Sequence, residues 1–118
     1  MKNDEILDLL GRKIISNCYD GSVKHIISLK EKTNPPPMFK SKVIFLQKID
    51  NEDFEVVKDI VKSNVEIVLF ELFSVFEEDP RFKLVFQENG KQVDLSEASE
   101  MLKAEHHNWI QKFSELDT

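Results

Sequence analysis

Cysteine, glycine and long apolar runs are scarce in this chain, and each shortage removes a class of answer. Among 118 residues Cys18 is the sole cysteine, so no internal disulfide framework exists, as befits a reducing compartment. Three glycines are too few for an all-β fold with many tight turns. Gly11, Gly21 and Gly90 are also isolated, so none opens a phosphate-cradling loop. Neither Gly-x-Ser-x-Gly nor Cys-x-x-Cys occurs, which leaves standard nucleotide, flavin and hydrolase chemistry without support. Glu66 and Glu71 interrupt the richest apolar stretch, well short of the roughly 18 residues a membrane helix needs. The N-terminus, MKNDEILDLLGRK, carries acids where a secretory signal would carry bases and then an unbroken apolar region. The expectation is a cytoplasmic protein outside the membrane.

Charge is present but lopsided. Residues 1–51 hold nine Lys/Arg and six Asp/Glu, and residues 52–118 hold seven and sixteen, so the parts carry +3 and −9. An acidic surface repels a phosphate backbone, and no basic stripe with interleaved aromatics occurs. Nucleic acid is therefore excluded as an expected partner, and a basic protein is the compatible one.

The chain is organised around Val65 to Phe76, VEIVLFELFSVF, in which nine of twelve residues are apolar. Helices are expected near 4–18, 22–32, 40–48, 51–78 and 96–116, with one β-hairpin at 82–95. Asp20-Gly21-Ser22 marks a break between the first two, with a single bent helix as the alternative. Asn34-Pro35-Pro36-Pro37 is a rigid connector. Residues 38–49 suit a short helix better than a strand, although VIFL alone also fits a buried strand. Asp50 or Asn51 caps the long central helix. On that helix Val65, Val68, Leu72 and Val75 continue the apolar face begun by Phe54, Val57 and Val61, and are the expected core. Leu69, Phe70 and Phe73 lie on the other side, which the protein's own C-terminal part or a second subunit must cover. Asn89-Gly90 between alternating apolar runs is a strong hairpin signal and pairs Phe86 with Val93 and Leu84 with Leu95, with Phe82 on the same face. Asp94 and Glu97 have capping-box spacing. A break at His106-His107-Asn108, with Asn108 capping a last helix from Trp109, keeps Glu105 out of the apolar stripe. The fold class is α+β and mostly α-helical: a single domain over 1–118, a helical bundle around a long central helix with one hairpin packed on it.

Few residues carry recognisable chemistry. His106 and His107 are adjacent and lack the i, i+4 spacing of a helical metal pair, so no metal and no cofactor is expected. Cys18 falls on the apolar side of the first helix, where it packs as a small hydrophobe; a nucleophile needs a base, for which His25 at i+7 is the candidate. Glu71 stands between apolar flanks, where an unpartnered carboxyl becomes a general acid and a paired one a structural ion pair. Glu77, Glu78 and Asp79 cluster at the C-terminal end of the central helix, where the dipole disfavours acids. With Phe70 and Phe73 they are the expected binding residues.

The closing segment Trp109-Ile110-Gln111-Lys112-Phe113-Ser114, taken with FELFSVFEE and the hairpin between them, resembles small bacterial proteins of the toxin-immunity type. The resemblance covers about the last 65 residues and implies a cytoplasmic binding protein without supplying site residues. The expected role is a non-catalytic protein-binding module, an immunity-like inhibitor of a basic partner. The alternative is a small enzyme or metal-binding protein using Glu71, Cys18 or His106 and His107.

Overall fold

Ile6, Leu7, Leu10 and Ile14 recur at helical spacing, and the first helix, α1 (Asn3–Ile14), follows from it. A computed structural model describes residues 1–116. The expected break at Asp20-Gly21-Ser22 is absent. The chain runs through a π-helical segment, Ile15–Asp20, directly into α2, Gly21–Glu31. Gly21 is itself helical, at φ −60° and ψ −38°, and the Ser22 hydroxyl donates to the Cys18 carbonyl instead of capping a new helix. The single bent helix is the form adopted. Its wider turn has a second effect: hydrogen bonds that skip to the fifth residue rotate the following side chains less per residue. Ile15, Tyr19 and Asp20 therefore face inward, whereas Cys18, expected to be buried, is exposed.

After the proline connector a 3₁₀ turn, Pro37–Phe39, leads into α3, Lys40–Lys48, so the stretch with two readings is a helix. Lys30 ties α2 to its far end, donating from Nζ to the Leu46 carbonyl at 2.6 Å. Gln47 Nε2 returns the connection to the carbonyls of Lys30 and Lys32. Leu29, Val43 and Leu46 close with Phe54 into a small core of their own. Asp50 caps α4, Asn51–Glu78, by accepting the Asp53 amide at 2.8 Å, as its position ahead of the apolar pattern requires.

The inner face of the second half of α4 is not the expected one. Val68, Leu72 and Val75 are 60%, 48% and 46% exposed, and Val65 is only partly buried, whereas Leu69 and Phe73 are 3% and 2% exposed. Both sides of this stretch are apolar, so the choice falls to the side whose larger groups bury more surface. Phe73 meets Trp109 edge to face at 5.7 Å, and Leu69, Ile15, Tyr19 and Leu102 complete the main core around them.

The hairpin has the register its turn dictates. Strands β1 (Val85–Glu88) and β2 (Lys91–Asp94) pair antiparallel, with Phe86 opposite Val93. Asn89 and Gly90 take the positive φ values, 52° and 78°, of a type I′ turn. The Leu95 amide donates to the Leu84 carbonyl at 2.9 Å, and Leu84, Phe86 and Val93 lie on the main core. Phe82 departs from expectation: it precedes the paired strands, just after the turn at Asp79, and is exposed.

Asp94 caps a single turn, α5 (Leu95–Ala98), accepting from the Ser96 amide. The chain then breaks at Ser99–Met101, earlier than expected, and re-enters helix through a 3₁₀ turn, Leu102–Ala104, and α6, Glu105–Phe113. His106, His107 and Asn108 are inside α6. The conflict over Glu105 is resolved by Ser99, whose hydroxyl accepts the Met101 amide and donates to the Glu105 carboxylate at 2.8 Å. The radius of gyration, 17.4 Å, exceeds the roughly 13–14 Å of a compact domain of this length. Elongation follows from α4, which carries the small core at its start and the main core at its end.

Candidate functional site

The three acids at the end of α4 are engaged within the chain. The Glu77 carboxylate accepts the backbone amide of Lys103, and Glu78 pairs with the Lys103 ammonium at 3.3 Å. Asp79 takes the Arg81 guanidinium at 2.8 Å and the Arg81 amide at 3.0 Å. The guanidinium beside it holds the Asp79 carboxyl below the usual range, with the backbone bond adding to the effect. This cluster docks the 3₁₀ turn on α4 and caps the turn that follows.

Of the two aromatics expected to bind, Phe73 is core. Phe70 is partly exposed, edge-on to His106 at 6.4 Å, with the Lys103 ammonium 5.7 Å from its ring centre. The face that remains open lies on the opposite side of α4. Ile60, Ile67, Val68, Leu72 and Val75 are exposed there, although part of that row was the expected core. At 3.6 residues per turn the same arc carries Asp53, Asn64, Glu71 and Glu78 and no Lys or Arg. Along one edge a groove of about 350 Å³ runs between α4 and the π segment, lined by Val61, Val65, Leu72 and Cys18 among others.

Cys18 and its candidate base do not line the same groove. His25, its candidate base, instead packs against Phe39 at 6.1 Å and lines a different groove, of about 480 Å³, between α2 and α3. Glu71 is exposed on α4 and borders a third cavity, of about 270 Å³, with Glu66, Phe70, His106 and His107.

In that cavity the structure assembles what spacing alone did not reveal. Successive turns of α4 meet the antiparallel C-terminal segment, Glu77 at Lys103 and Phe70 at His106, and Glu66 then falls beside His107. One ligand-type atom from each of Glu66, His106 and His107 lies within 4.8 Å of the other two. His106 is buried, and its Nδ1 is 3.0 Å from the Lys103 carbonyl. Burial pushes its pKa below the ordinary histidine value, opposed by the Lys103 carbonyl, assisted by His107 and opposed by Glu66. The adjacent histidines were legible; Glu66 was not, because sequence gives no register between α4 and α6.

Among the described residues no helix is long and apolar enough to cross a membrane. Comparison of the chain with protein-family models, curated proteins and solved structures found no match.

Proposed function

We propose that this chain is a non-catalytic protein-binding module whose contact face is the outer side of α4, and that it acts as an immunity-like inhibitor of a basic protein in the cytoplasm. The observation that carries the reading is the exposed row Ile60, Ile67, Val68, Leu72 and Val75. Exposed apolar side chains gathered along one face of a helix support an interaction surface there. A groove beside a helix takes the apolar ridge of a partner. Because Asp53 and Glu71, the charged residues of this arc besides the Lys103-bound Glu78, are acidic, the complementary rim is basic, and opposite charge steers association and sets its salt dependence. The resemblance of the C-terminal stretch to immunity proteins supports the inhibitory form of the reading, and the free thiol of Cys18 supports a reducing compartment.

The test compares the wild-type chain with a Val68→Asp, Leu72→Asp double variant, matched by circular dichroism and melting temperature, as baits in an extract of the native cell. The expected result is a protein of high isoelectric point retained by the wild type and lost by the variant. Its association with the purified chain should slow as salt rises. Equal retention by both baits, capture by neither, or association insensitive to salt overturns the reading.

A further inference from the structure

Neighbouring histidines on a helix project about 100° apart, yet the rings of His106 and His107 are 4.0 Å apart between centres and inclined by 38°. Both turn toward α4 at the level of Glu66. We propose that Glu66, His106 and His107 form a binding site for one divalent transition-metal ion of the zinc class, with an open coordination position facing the cavity beside Phe70.

Four features carry this. First, the lone pair of His106 is already directed. A carbonyl only accepts, so the Lys103 oxygen requires the proton on Nδ1 and leaves Nε2 as the ligand atom. A backbone carbonyl behind a histidine is the usual outer partner that fixes a metal-binding ring. Second, the ring is buried, so packing fixes its orientation before any metal arrives.

Third, the geometry closes with small movements. Ligands around a tetrahedral ion with bonds of about 2.0–2.2 Å are about 3.3–3.6 Å apart. His107 Nδ1 is 3.8 Å from Glu66 Oε1, and one ligand-type atom from each of the three residues lies within 4.8 Å of the other two. The exposed His107 and the partly buried Glu66 provide the rotation, while His106 stays fixed. Fourth, the donor set is selective. Two imidazoles and a carboxylate suit zinc, cobalt, nickel or copper, whereas magnesium and calcium prefer oxygen alone. Three protein ligands beside an open cavity leave the fourth position to water or to an incoming donor.

The experiment titrates the full chain, free of any purification tag, with zinc at neutral pH by calorimetry and follows its melting temperature in parallel. The wild type should bind one zinc per chain and melt higher with it. H107A and E66Q alter side chains outside the core, so their metal-free melting temperatures should stay near that of the wild type while zinc affinity falls by about tenfold or more. C18S and H25A, which remove the remaining thiol and the remaining imidazole, should bind as the wild type does. Absence of binding by the wild type, equal affinity in H107A, or loss of binding in C18S or H25A overturns the site.

Discussion

The indole of Trp109 occupies the space that a Cβ on Gly11 would need. Gly11 lies inside α1, where glycine is about 1 kcal/mol less favourable than alanine. What offsets that loss is contact: the largest fully buried side chain of the protein rests directly on the backbone of α1 while its other side meets Phe73 of α4.

Gly11→Ala should therefore destabilise the protein, against its helix propensity. Overpacking costs about 1–3 kcal/mol, and a rigid indole held from both sides has no flexible end to move aside. Urea titration reads the difference, and a gain in stability would show that Trp109 shifts freely.

The neighbours Leu69 and Val68 should respond in opposite ways. Leu69→Ala is expected to cost about 2–5 kcal/mol, the range for a buried leucine. Val68→Ala should stay within about 0.5 kcal/mol, as surface changes do. Guanidinium unfolding of the two variants checks which face of α4 is inside, and the reverse order would restore Val68 to the core.

Acid should weaken the fold through His106. Its pKa is lowered in the folded state, chiefly by burial, from about 6.5 in the unfolded chain. Between those values the unfolded chain binds the extra proton, so this contribution to stability is complete above the unfolded pKa and is lost as pH falls through the window. The groups facing the ring are the Lys103 carbonyl, His107, Glu66 and the Phe70 ring. The urea midpoint should be lower at about pH 5.5 than at about pH 7.5, and His106→Gln should flatten that difference. An unchanged slope in the variant would assign the acid sensitivity elsewhere.

What could be read in the sequence was local chemistry. Asp50 announces α4 because a cap acts on the amide three residues on, and Asn89-Gly90 sets the Phe86–Val93 register because the turn itself demands positive φ. Tertiary choices were hidden. Val68 and Leu69 are equally apolar, and only the arrival of Trp109 and the π segment decides between their faces. The π segment has no compositional mark, so Cys18 was placed one register too far inward. The Ser99 turn depends on a hydroxyl meeting Glu105 across the break, a pairing that spacing did not single out. Glu66 joins the histidines only through the docking of α6 on α4.

The two cores strung along α4 imply that the molecule need not melt all at once. Leu29, Val43, Leu46 and Phe54 form the smaller one, at the start of the helix, away from the cluster around Trp109. Cooperative units of this kind open with their own free energies, so amides in α3 and the first turns of α4 should exchange with solvent through a partial opening that spares those near Leu69. In that partly open form the row from Val68 to Val75 keeps the support of Leu69 and Phe73 beneath it. A partner seated there would be held by the more durable lobe while the other breathes.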